Sequence, residues 1–198
     1  MHGAQELFFL YGIRSVLMDD IAKHLSVSKK TIYRVYKDKE KLVHELVKEL
    51  LKEDEKVCKE LQKGSANVVE EFFNIMKHVE KMICRVNPGM FYDLQKYYPA
   101  SWKLFIEFKE NCILKMVEES LTKGIKQGHI RSDINVKTLS RMRIQQIEMG
   151  FNPTVFPPDK FKLADVQTSM IDHFLHGVCT LKGHKLINKY KQISSEDE

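Results

Sequence analysis

The sequence predicts an all-α fold, and three observations carry that expectation. Apolar residues recur at helical spacing along most of the 198 residues, glycine, serine and proline clusters separate those runs, and no segment alternates apolar with polar residues as a strand would. The length also exceeds that of a small single domain, so a small head and a larger body with a substantial core are expected.

The stretch from Met18 to Leu25 places Ile21 and Leu25 four apart on one helical face, with small Ala22 beside them, so that a second helix can approach closely. Ser26-Val27-Ser28 then breaks the pattern, because serine side chains compete for backbone hydrogen bonds and Ser28 is a good N-cap for the helix that follows. That helix, Ser28 to Tyr36, turns Ile32 with Val35 or Tyr36 inward. Lys29, Lys30, Thr31, Tyr33 and Arg34 crowd its N-terminal, outward side, where a recognition helix meets base edges and phosphates. Two short helices around a tight turn, with that outward face, read as a helix-turn-helix for double-stranded DNA. Asp38 caps the next helix and leaves Lys39 in its first turn, and a helix N-terminus with a lysine suits a phosphate oxygen. The net charge of +5 is too modest to indicate nucleic acid alone, but six basic residues against two acidic ones lie between Lys29 and Lys41.

Further on, apolar residues from Leu42 through Val57 make one long helix from Lys39 to about Leu61, ended by Gly64-Ser65. Val68 to Ile83 forms the next, stopped by Asn87-Pro88-Gly89, and a short helix runs to Tyr98. Pro99 opens another long helix that closes near Gly128. Helices from about Val136 to Gly150 and from about Leu163 to Leu181 flank the proline-rich loop from Asn152 to Pro158, and a last short segment covers His184 to Tyr190. The end, Ser194 to Glu198, is acidic and expected to be a solvated tail.

From Tyr11-Gly12 to Leu42 the chain resembles the N-terminal domain of the tetracycline-repressor-like (TetR) family of transcriptional regulators. The shared order is an apolar first helix with Ala4, Leu7 and Phe8, a glycine after an aromatic, the Asp20-Ile21-Ala22 core, the segment Ser28 to Tyr33, and an aromatic and a lysine opening a long helix. Leu17 stands where the family usually has a capping serine or threonine, so no DNA contact is carried onto it and Ser15 becomes the candidate cap. Ser26 stands where many such turns have glycine, which predicts a left-handed or mildly strained residue. The chain starts inside the first helix, which is compatible with an N-terminal extension ahead of Ala4 or a junction at Met1-His2-Gly3.

The resemblance implies a DNA-binding domain over residues 1–45, a helical effector-binding and dimerisation domain over 46–193, and the tail 194–198. It implies a ligand-responsive repressor in which Ser28, Lys29, Lys30, Thr31, Tyr33, Arg34 and Lys39 meet the operator, Lys39 and Tyr33 at phosphates. An unknown effector, apolar or aromatic, would lie against Tyr92, Tyr97, Trp102 and Phe105 in the aromatic-rich central helices. Arg143, Gln146 and Glu148, in an otherwise apolar helix, are either polar anchors for that effector or solvent-facing, and solvent is the expectation. A homodimer follows from the need for two heads about 34–36 Å apart on successive major grooves. The family builds it from the two helices mapped here to 136–150 and 163–181, with Met142, Ile147, Val166, Met170, Phe174 and Val178 as candidate interface residues, each of which fits its own core equally well.

Four cysteines without a Cys-x-x-Cys pair suggest neither a disulfide framework nor a thiolate metal site. His173 and His176 lack a completing ligand shell, so no metal and no cofactor are expected. No phosphate loop or nucleophile elbow appears, which argues against an enzyme. No apolar run suffices to cross a bilayer, so a cytoplasmic protein is expected. The alternative from another class is an all-helical adaptor whose basic helix binds an acidic protein partner.

Overall fold

The computed structural model describes residues 2–87 and 89–192; Met1, Pro88 and the expected tail 194–198 lie outside the described residues. The described residues form α1 (His2–Tyr11), α2 (Met18–His24), α3 (Lys29–Val35), α4 (Lys39–Gly64), α5 (Val68–Ile83), α6 (Gly89–Tyr97), α7 (Pro99–Phe108), a π-helical turn (Lys109–Ile113), α8 (Leu114–Gln127), α9 (Val136–Gly150), α10 (Leu163–Val178) and α11 (Leu181–Lys191). None of these helices is long and apolar enough to cross a membrane.

Two boundaries differ from the sequence reading. The single helix expected from Pro99 to Gly128 is interrupted at Lys109 by the π-helical turn, a widening that buries the Lys109 side chain. The helix expected to reach Leu181 stops at Val178, because Thr180 accepts a hydrogen bond from the Gly183 backbone N–H at 3.2 Å and caps a new helix. An isolated antiparallel bridge, Ile130 with Cys179, ties that junction to the α8–α9 link. The Thr180 amide donates to the His129 carbonyl there at 2.9 Å.

The chain divides into two compact units, Met1–Asp54 with Met82–Phe108, and Glu55–Lys81 with Lys109–Glu198. The first is built on Phe8, Ile13, Ile21, Leu42 and Val43, and it also buries Met90 and Leu94 of α6. Its packing therefore extends past residue 45, where the sequence placed the end of the head. Asn87 and Asp93 account for the addition, since the Asn87 amide donates to the Phe9 carbonyl at 2.7 Å and Asp93 accepts from the Arg14 amide at 2.9 Å. The second unit packs Val68, Val69, Leu121, Ile130, Ile144, Leu175 and Ile187. A buried Glu71 is neutralised inside it by Lys123 at 3.1 Å and by the Ser120 hydroxyl. One helix, α4, contributes residues to both units.

Gly183 lies where a Cβ would overlap the His129 carbonyl oxygen and touch Cys179, whereas a Cβ at Gly64 would meet nothing within 4 Å. Gly183→Ala should cost about 1–3 kcal/mol of stability as overpacking, and Gly64→Ala should cost nothing, both read from urea denaturation midpoints.

Candidate nucleic-acid interface

The motif begins at Leu17, the N-cap residue of α2. Its side chain caps nothing, and the expected substitute, Ser15, is not the cap either. The Leu17 amide instead donates to the Asp20 carboxylate at 2.8 Å, the half of a capping box that an acidic third residue supplies. Ile21 and Ala22 are buried, while Leu25, expected inward, is exposed and covers Gly3 of α1. A second tie between these helices is Glu6 with His24 at 3.0 Å, which holds the Glu6 carboxyl below its usual range.

The turn is closed by Ser26 at φ 54, in the left-handed region as expected, and by a hydrogen bond from the Val27 amide to the Ala22 carbonyl at 3.0 Å. Ser28 then caps α3, its Oγ accepting from the Thr31 amide at 3.1 Å and lying 2.8 Å from the Thr31 hydroxyl. Inside α3, Ile32 is buried and Tyr36 packs against the same core. Val35, the other inward candidate, is 68% exposed, because the chain leaves the helix at Tyr36 and only the four-residue spacing from Ile32 stays inward.

Lys29, Lys30, Thr31, Tyr33 and Arg34 all lie exposed. They are not equivalent. Lys29 sits 2.7 Å from the Asp19 carboxylate, which pushes its ammonium pKa up and commits it within the free protein. Among the described residues neither Lys30 nor Arg34 has a carboxylate partner, and the two are four apart on one face of α3.

Lys39 requires a correction. Its ammonium donates to the Val16 carbonyl at 2.5 Å and more weakly to the Arg14 carbonyl at 3.5 Å, and it stands 5.8 Å over the Phe8 ring. It is half-buried, and that burial lowers its pKa despite Asp93 and Asp20 nearby. The side chain expected at a phosphate is engaged in fastening α4 to the loop before α2. Asp38 caps α4 as expected, accepting from the Lys41 amide at 2.7 Å.

The aromatic candidates also separate. Tyr92 and Tyr97 are exposed on α6, where Lys96 donates to the Tyr92 hydroxyl at 2.7 Å and Arg14 donates to the Tyr97 hydroxyl at 2.8 Å while stacking on its ring. They form a surface cation–aromatic network with Lys96 and Arg14. Trp102 and Phe105 stack at 5.0 Å, and Trp102 packs on the first unit's core.

Of the interface candidates, Phe174 and Val178 belong to the core of the second unit, and Val166 is buried as well. All three are covered within the chain itself. Ile147 packs against the same core. Met142 is exposed, as is Met149, seven residues along the same face of α9. Met170 is half-buried and shares a face of α10 with exposed His173 and Gly177. Arg143, expected in solvent, is buried, and the Gln146 side-chain oxygen is buried with it. Glu148 pairs with buried Lys109.

A profile of bacterial regulatory proteins of the tetR family matches residues 1–46. The HTH-type transcriptional regulator YvaF of Bacillus subtilis is 26% identical over 168 residues, spanning 83% of this chain and 86% of its own. A transcriptional regulator from Cytophaga hutchinsonii superposes with a TM-score of 0.70 at 18% identity, covering 90% of this chain and 96% of that one. FadR from Bacillus subtilis, in complex with stearoyl-CoA, does so at 0.66 and 22% identity, covering 89% and 96%.

Replacing Lys39 by Met should lower the thermal midpoint by the equivalent of about 1–2 kcal/mol, the loss of a charged hydrogen bond to backbone. The same change at exposed Lys41, whose partner is Glu45 at 2.7 Å, should cost only a few tenths of a kcal/mol.

Proposed function

We propose that this chain, which belongs to the tetR family of bacterial regulatory proteins and is a DNA-binding transcriptional regulator, is a ligand-responsive repressor that holds its operator as a cytoplasmic homodimer. The observation that carries the reading is the α2–turn–α3 unit, whose exposed outward face presents Lys30 and Arg34 with no carboxylate partner among the described residues. In this reading α3 enters the major groove, Lys30 and Arg34 reach base edges, and Ser28, Thr31 and Tyr33 hold phosphates. Lys29 joins them only on leaving Asp19. Lys39 acts indirectly, by fixing the angle between α4 and the motif.

The dimer forms through the exposed faces of α9 and α10, with Met142, Met149, Met170 and the open surface at Gly177. An effector bound in the helical body displaces the second-unit half of α4, and the first-unit half moves the head with it. The shift in operator affinity is limited by the effector's differential affinity for the two states. The stearoyl-CoA of the Bacillus FadR complex belongs to that protein; at 22% identity it carries a fold, and the effector here is assigned only as a small molecule with an apolar or aromatic body.

The test is fluorescence anisotropy on the DNA upstream of the protein's own gene. Arg34→Ala should weaken binding to that duplex by about 1–3 kcal/mol and relax its preference over an unrelated one. Asp19→Asn, which frees Lys29, should strengthen binding and steepen the salt dependence by about one unit. Equal effects of both variants on both duplexes would favour the adaptor reading. In sedimentation velocity, Met149→Glu should shift the protein from dimer to monomer while leaving its helical content unchanged.

A further inference from the structure

Among the described residues four buried side-chain polar atoms lack a hydrogen-bond partner. Three of them, Ser140 Oγ, Arg143 Nη1 and Gln146 Oε1, lie three residues apart in succession along α9. Side chains at that spacing are neighbours on one helical face. Buried polar groups in folded proteins are almost always satisfied, so a cluster of exceptions calls for a missing partner.

Charge balance identifies the partner's sign. Among the described residues the buried Asp, Glu, Lys and Arg side chains are Glu71, Lys109 and Arg143. Glu71 is matched by Lys123, Lys109 is matched by Glu148 and lies 3.7 Å from Glu110, and Glu110 is matched by Arg141. Arg143 alone of the three has no counter-ion among the described residues, although burial lowers its pKa only to about 10 and leaves it charged at neutral pH. An isolated buried guanidinium is among the most unfavourable arrangements a core can hold unless it is paired. Its neighbours along the helix, Ile144 and Ile147, belong to the apolar cluster of the second unit.

We propose that the body binds an organic monocarboxylate with an apolar skeleton, its carboxylate paired with Arg143 and its polar remainder completed by Ser140 and Gln146. This names the effector class for the ligand-responsive reading above and rests on it. One unmatched positive charge suits a monoanion. Because Nη1 is enclosed in the ligand-free chain, the carboxylate enters only as neighbouring side chains move, which couples its binding to a change in packing of α9.

Calorimetric titration of the full-length protein with hexanoate, decanoate and phenylacetate, each against its matching alcohol, tests the site. At least one carboxylate should bind wild type about tenfold or more tighter than its alcohol, the contrast expected of a charge-assisted pair. Arg143→Gln should abolish the difference, and Arg143→Lys should retain part of it. Arg143→Met covers the chance that the residue is merely structural: without ligand its thermal midpoint should equal or exceed that of wild type, since it removes an uncompensated charge. No carboxylate binding, equal affinity for acid and alcohol, or unchanged carboxylate binding in Arg143→Gln would overturn the proposal. Operator anisotropy is read separately: carboxylate binding without operator release upholds the Arg143 site and counts against ligand-responsive repression instead.

Discussion

The burial of Ile21 and Ala22 of α2 with Ile32 of α3 in one core governs the rest of the head. A larger side chain at Ala22 would separate the helices, and the turn that brings them together requires Ser26 in the left-handed region, at a cost of about 1 kcal/mol for a residue with a Cβ. That cost is offset by burying Ile21 and Ile32 on the same core and by the Val27 to Ala22 backbone hydrogen bond. Once the two axes are fixed, the outward face of α3 is fixed too. The exposure of Lys30 and Arg34 is a consequence of the packing beneath them.

Charge is handled differently in the two units. In the head, three cations are used as fasteners: Lys39 on the Val16 carbonyl, Arg14 on Tyr97, Lys29 on Asp19. Each constrains the frame on which α3 is displayed. In the second unit the buried charges are matched by internal partners, with Arg143 the exception. A single helix, α4, carries Lys39 at one end and belongs to the second unit at the other.

Much of the fold was legible because helical periodicity and punctuation are local. The ends of α5 and α9, the Ser28 cap, the Asp38 cap and the left-handed Ser26 follow from residue types within a few positions of each other. What was not legible depended on contacts distant in sequence. Lys39 was read as a phosphate ligand because a lysine at a helix N-terminus suits one, and nothing local reveals the Val16 carbonyl above it. Phe174 and Val178 were read as interface because an apolar residue on α10 looks the same whether it meets its own core or a second copy. Arg143 was read as solvent-facing because its type is rarely buried. The Asp20 half-cap of α2 was within reach of the sequence, since an acidic third residue is a recognised helix-start signal, but the missing hydroxyl at position 17 drew attention to Ser15.

The central question is whether the displayed face of α3 reads sequence from two heads at once. Genomic fragments retained by the purified protein at physiological salt, recovered and sequenced, address both points together. A shared motif made of two inverted half-sites about one helical turn apart is the predicted result. Retention of fragments with no common sequence, lost as salt is raised, would contradict it.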